Sequence, residues 1–144
     1  MGPVDCKAKA FMSQIRSTES SEQQAFFVYV RYKMLSDKRY AAVASIPNGG
    51  HRHPLVAMKM SREGITRGVS DVFCWVPASG LHGLAIEFKA AGGRLSKEQK
   101  IWMDRLREFG YGAVVVWNAT EAIEVLTKYL DNKLEGEACA KKIC

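Results

Sequence analysis

The sequence predicts an α/β domain, a mixed β-sheet flanked by helices on both sides. Three observations lead there. Stretches of helical periodicity alternate with apolar runs of strand length, in the order helix, strand, helix, strand, strand, helix, strand, helix. Two of these runs, residues 72–76 and 84–89, flank a Pro77-Ala-Ser-Gly80 turn and read as a β-hairpin. A third, residues 112–117, carries no charge and reads as a buried strand.

Size and composition fit that reading. The 144 residues suffice for one hydrophobic core, hence one domain. An apolar fraction of 47% with 25% charged residues is that of an ordinary globular protein. Lys and Arg number 21 against 15 Asp and Glu, a net charge of +6 and a pI of about 9.2. That excess favours a polyanionic partner such as nucleic acid. No apolar run reaches membrane-spanning length, and residues 1–7 lack the apolar core of a secretory signal. Cys6 stands where a myristoylation signal has Ser or Thr, and Pro3 follows Gly2, so no lipid anchor is expected. The cysteines, Cys6, Cys74, Cys139 and Cys144, form no Cys-x-x-Cys pair. A reduced, cytoplasmic protein is therefore expected, not a disulfide framework or a zinc site.

Taken in order, residues 1–19 show little periodicity and read as a lead-in. The domain proper spans 20–131, and 132–144 is a polar, lysine-rich tail. Ser20 with Gln23 reads as a capping box opening the first helix, which continues through Ala25, Phe26, Val28, Tyr29, Val30, Tyr32 and Met34. Glu22 lies in its first turn, where a carboxylate favours the helix dipole. Residues 40–46 read as the first strand, stopped by Pro47 and the Asn48-Gly49-Gly50 turn. His51, Arg52 and His53 follow without a third ligand at a zinc spacing, so they read as a basic or ordinary surface loop.

Pro54 opens the second helix and Gly64 caps its end. Gly68, just before Val69-Ser70-Asp71, marks a tight bend or a close backbone approach, with Arg67 at the same rim. Beyond the hairpin, residues 90–95 form a glycine-rich basic loop containing Arg94. Ser96 with Gln99 makes a second capping box, followed by an apolar stripe of Ile101, Trp102, Leu106 and Phe109 and a stop at Gly110. Gln99 thus has a structural task, reaching back to the Ser96 amide. The amino end of this helix, with Lys97 and Lys100, is also a natural phosphate site. Asn118 with Glu121 makes a third box, opening a last helix through Ile123, Val125, Leu126, Tyr129 and Leu130.

The chemistry-bearing residues cluster on the hairpin. Asp71 sits where its first strand begins, and Glu87 and Lys89 stand two apart near the end of the second. Period-2 alternation puts Glu87 and Lys89 on one face and turns Ile86 and Phe88 to the other. Two carboxylates are hard oxygen ligands for Mg²⁺ or Mn²⁺, and an ammonium beside them suits an attacked phosphate. By itself the triplet is weakly specific, since exposed strands carry Glu and Lys for solubility.

The wider pattern resembles the VRR-NUC domain, a branch of the PD-(D/E)xK nuclease superfamily with a restriction-endonuclease-like core. The resemblance rests on Ile46-Pro47-Asn48-Gly49-Gly50 with Arg52, on Gly64-Ile65 with Gly68-Val69-Ser70-Asp71, and on Ile86-Glu87-Phe88-Lys89. It continues through Gly93-Arg94-Leu95-Ser96, Gln99-Lys100, Trp102, Leu106 and Gly110-Tyr111. It covers roughly residues 20–130, and it departs at Ser70, where the superfamily usually has Pro.

The resemblance implies a metal-dependent deoxyribonuclease. Asp71, Glu87 and the Phe88 carbonyl would be metal ligands, with Glu22 as an additional acid completing the metal site. Lys89 would orient the attacking water, and Gln99 would hydrogen-bond near it. Arg52, Arg67, Arg94, Lys97 and Lys100 are the candidate nucleic-acid contacts. Mg²⁺ or Mn²⁺ would be the cofactor, with no small-molecule cofactor and no membrane. Single-domain members of the family suggest a homodimer cutting branched DNA such as four-way junctions, in a bacterial or phage-infected cell. A flap- or end-directed nuclease of the same chemistry and a catalytically silent nucleic-acid-binding module remain the alternatives.

Overall fold

The computed structural model describes residues 18–47 and 53–134. In chain order these form α1 (Glu19–Met34), a 3₁₀ turn (Lys38–Ala42), β1 (Val43–Ser45), α2 (Pro54–Arg62), β2 (Val72–Cys74), β3 (Leu84–Phe88), α3 (Lys97–Glu108), β4 (Gly112–Val116) and α4 (Ala119–Leu130). The strands make one sheet in the order β1-β2-β3-β4. The first three are antiparallel, and β3 and β4 are parallel. A parallel pair needs a crossover, and α3 supplies it.

Hydrophobic packing covers both faces of the sheet. On one face Phe26 and Val30 of α1 and Leu126, Tyr129 and Leu130 of α4 pack with Ile86, Phe88, Val114 and Val116. On the other, Met103 of α3 packs with Ala85, Ala113 and Val115. All five residues of β3 and all five of β4 are buried, as expected of strands covered on both sides. The mixed sheet between helices and the 72–88 hairpin are as the sequence predicts. Gly64 and Gly110 close α2 and α3: the amides of Ile65 and Tyr111 reach back to Met60 and Leu106 at 3.0 and 2.9 Å.

Four local expectations are corrected. The first helix begins earlier, capped by Thr18, whose hydroxyl accepts from the Ser21 amide at 3.0 Å while the Ser21 hydroxyl accepts from the Thr18 amide at 2.9 Å. In a run of Ser, Thr and Glu several overlapping boxes are possible, and Gln23 is drawn off to the Ser45 hydroxyl at 2.9 Å. Tyr40–Ala42 belong to the 3₁₀ turn instead of the first strand, because Asp37 caps the Arg39 amide and grips its guanidinium at 2.7 Å.

On α3 Met103 is the buried residue facing the sheet, with Leu106 of the expected stripe packed beside it, while Ile101 and Phe109 are exposed. At α4, Asn118 caps the Glu121 amide at 2.8 Å, and the Glu121 carboxylate reaches one residue further back, accepting from the Trp117 amide at 3.1 Å. Most of the expected lead-in and tail, and the Asn48–Arg52 motif residues, lie outside the described residues.

Candidate active site

The hairpin register sets the site. Val72 pairs with Ile86, so Asp71, one residue before β2, lies beside the end of β3. The Phe88 amide donates to Asp71 Oδ2 at 3.0 Å, and the Ile46 amide donates to the Asp71 carbonyl at 2.8 Å. Asp71 is therefore tied to both neighbouring strands. Gly68 shapes the approach to it. Its φ is +82°, and a Cβ there would stand 2.5 Å from the Glu98 carbonyl carbon. Both predicted reasons for a glycine, a bend and a close approach, hold at once.

Glu87 is the centre of the cluster. It is 1% exposed on the α3 side of the sheet. Its Oε1 accepts from Lys89 Nζ at 3.0 Å and from Gln99 Nε2. Its Oε2 is buried and has no hydrogen-bond partner. Burial is the main cause pushing the Glu87 carboxyl up to about 7, with the Asp71 charge adding to it and Lys89 opposing. Asp71 is raised too, by burial first, against the pull of the Phe88 amide and Lys89.

Gln99 does two things with one side chain. Its Oε1 accepts from the Ser96 amide at 2.8 Å, completing the capping box, and its Nε2 donates to Glu87. The capping geometry thus fixes where the carboxylate can lie.

Glu22 is the expected acid that the structure places elsewhere. Its Oε2 accepts from the Ala119 amide at 2.7 Å, filling an open donor in the first turn of α4. The acid of α1 that meets the cluster is Glu19. It accepts from the Ala90 amide at 3.1 Å and stands 3.9 Å from Lys89 Nζ. Helical spacing explains the exchange. Glu22, Phe26 and Val30 share the file turned to the core, whereas Glu19, Gln23 and Phe27 share the next one. That second file lines a cleft of about 540 Å³ with Arg31 and Asp71. The buried file was legible as the inner one from Phe26 and Val30, and this was the signal that could have favoured Glu19.

The other predicted residues divide by position. Phe88 offers its amide to Asp71 and packs its ring 5.8 Å from that of Phe26. Arg67, Arg94, Lys97 and Lys100 are exposed. Glu98 is held below the ordinary carboxylate range by its own backbone amide and the Ser96 hydroxyl, and also feels Arg67 and Lys97. Lys97 opens α3, and Arg67 precedes Gly68, which packs against the Glu98 backbone of its first turn. Arg52 and His51 lie outside the described residues. His53 caps α2, its Nδ1 accepting from the Leu55 amide at 3.4 Å. Among the described residues no group of three or more His, Cys, Asp or Glu side chains is gathered so as to hold a metal ion.

Comparison with known proteins agrees with this geometry. A family model for the VRR-NUC domain matches residues 8–119. A solved structure described as a VRR_NUC domain protein shares the fold at a TM-score of 0.64 and 22% identity, over 77% of this chain and 88% of the other. No curated protein matches the sequence. A match over most of the chain, on a sheet that presents Asp71, Glu87 and Lys89 together, makes this chain a member of the VRR-NUC domain family, a nuclease-type domain of the PD-(D/E)xK superfamily.

Proposed function

We propose that the protein is a metal-dependent endonuclease that hydrolyses phosphodiester bonds in branched DNA, such as four-way junctions. The observation that carries this reading is the partnerless, buried Glu87 Oε2 beside Asp71. A charged carboxylate oxygen kept from water and without a hydrogen-bond partner is costly unless a cation takes it. Two adjacent carboxylates are hard oxygen donors that suit Mg²⁺ or Mn²⁺. Mg²⁺ is commonly held by one or two carboxylates, with waters and substrate phosphates filling the remaining positions.

In this mechanism Asp71 and Glu87 would hold the cation, with the Phe88 carbonyl as a third oxygen donor. When bound, the cation would offset phosphate charge and make water more acidic. Gln99 pins Glu87 Oε1 and leaves Oε2 facing the ligand position. Lys89, 11% exposed and anchored between Glu87 and Glu19, presents its ammonium to the phosphate and orients the attacking water. Glu19 takes the role of additional acid that the family pattern had suggested for Glu22. Arg67, Arg94, Lys97 and Lys100, with Arg52, contact the DNA backbone.

The working form is a homodimer, whose two-fold axis would offer two sites to symmetry-related strands. Apolar side chains left exposed on α1 (Val28, Tyr32), just past its end (Leu35) and on α2 (Leu55, Val56, Met58) support a protein contact. The test is incubation with labelled four-way junction, flap, duplex and single-stranded DNA, with Mg²⁺, with Mn²⁺ or with chelator. Paired cuts in the junction alone, lost with chelator, are expected. Cuts confined to flaps or ends would replace the junction assignment, and binding without cutting under either metal would make the protein a silent binding module.

A further inference from the structure

A second concavity lies on the α3 side of the sheet, beyond the catalytic cluster. It measures about 280 Å³ and is lined by Phe73, Trp75, Trp102 and Tyr111 together with Ser70. We propose that it is a subsite for one unpaired nucleobase of the substrate, a reading that rests on the nuclease assignment above.

Three features point to a base. The first is the aromatic wall. The Phe73 ring lies 5.0 Å from that of Trp75 and 5.8 Å from that of Tyr111, and Trp75 is 53% exposed at the rim. A half-exposed indole beside other rings offers a stacking face that any base can use. The second is Ser70. It is 1% exposed, it lines the cavity, and its Oγ has no hydrogen-bond partner. A hydroxyl both donates and accepts, so it can meet the polar edge of any base. The third is size. The volume falls just below the roughly 300 Å³ at which drug-sized ligand pockets begin, which suits a single ring system.

Position joins the subsite to the cut. Ser70 is the residue before Asp71. Asp71, Phe73 and Trp75 alternate along one face of β2, and at about 3.3 Å per residue the indole stands about 13 Å from the catalytic acid. Arg67 lies on the loop that enters the groove, where Gly68 packs against the first turn of α3. A backbone phosphate can rest there while its base turns inward. Such a site rewards DNA with an unpaired base near the cut, as at a branch point. A continuous duplex must first unstack a base to use it.

The test uses the full chain in chelator, so binding is read apart from catalysis. A forked oligonucleotide with unpaired bases should quench tryptophan emission. Moving one abasic nucleotide through the unpaired positions should find a single position where quenching is lost and affinity falls about tenfold. Trp75→Ala should bind intact DNA as weakly as the parent binds that abasic strand, and should no longer distinguish the two. Trp75→Phe should restore most of the difference. Ser70→Ala should leave the fold as stable as the parent or more so, because it removes a partnerless hydroxyl, while reducing the preference for an intact base.

Equal affinity for intact and abasic strands at every position would overturn the proposal. So would a Trp75→Ala protein that turns from dimer to monomer with unchanged base preference, since the groove would then be a subunit contact. The parent's cutting in Mg²⁺ is scored separately, and its absence would defeat the nuclease reading without bearing on the abasic scan.

Discussion

Replacing Glu87 with Gln should stabilise the metal-free protein, and only at high pH. The carboxyl is raised from the ordinary 4.5 to about 7. Between those values the folded chain holds a proton that the unfolded chain has released, so stability falls as pH rises across the window. Above it the buried carboxylate costs about 3 kcal/mol relative to the unfolded chain. Gln has the same shape without the charge. At pH 4, below both values, the parent's carboxyl is mostly protonated in the folded and unfolded chains alike, and the two proteins should melt nearly together. At pH 8 in chelator the variant should be more stable by about 3 kcal/mol, a rise of several degrees in Tm. Mg²⁺ should raise the parent's Tm by binding the folded form and should leave the variant's almost unchanged. Thermal unfolding at the two pH values, with and without metal, decides it. Equal shifts at pH 4 and pH 8, or a less stable variant at pH 8, would refute the claim that burying the charged Glu87 carboxylate costs the fold stability.

Three further outcomes follow from the geometry. Glu19→Gln should lower cleavage by roughly tenfold or more, whereas Glu22→Gln should leave cleavage nearly intact and cost about 1 kcal/mol through the cap of α4; the reverse ranking in a cleavage assay would return the role to Glu22. Gly68→Ala should destabilise by about 2 kcal/mol or more, since the new methyl meets α3 backbone at a strained φ. Gly92→Ala, at φ +79° with nothing within 4 Å, should cost about 1 kcal/mol, and equal melting of the two would contradict the close approach. Removing Arg94, Lys97 or Lys100 should weaken DNA binding and lower the salt dependence by about one phosphate contact each, read from titrations at several salt concentrations.

Much of the fold was legible because strong local signals agreed with tertiary packing. The apolar runs of β3 and β4, the Pro-Ala-Ser-Gly turn, the Ser96–Gln99 box and the glycine stops each had one physical reading, and each is found. Errors arose where several readings were close in energy. The run Thr18-Glu-Ser-Ser-Glu-Gln23 offers overlapping caps, and a short-range pattern cannot tell which hydroxyl will be drawn to a distant strand. Ile101 and Phe109 match a helical stripe, but α3 presents Met103 to the sheet, a choice set by the crossover from β3 to β4. The carboxylate pair and Lys89 were legible through alternation alone. That Gln99 serves both the cap and Glu87 was not, because it depends on how α3 lies across β3.

The placement of charge shows why a basic chain keeps acids at its centre. On the proposed reading, the net charge of +6 and the exposed Arg67, Arg94, Lys97 and Lys100 would attract DNA from beyond contact distance, over a Debye length of about 8 Å at physiological salt. At the cluster a phosphate instead meets Asp71, Glu87 and Glu19, with Lys89 already engaged by two of them. The low polarity that lifts Glu87 also strengthens that short-range repulsion, and the distant surface cations do not cancel it. Attraction and productive contact are thus assigned to different residues, and on the proposed mechanism a cation is what joins them. It follows that Asp71→Asn with Glu87→Gln should bind DNA in chelator roughly tenfold more tightly than the parent while cutting nothing in Mg²⁺. Weaker binding by that double variant would mean that the acids do not oppose the phosphate, and the separation of roles would fail.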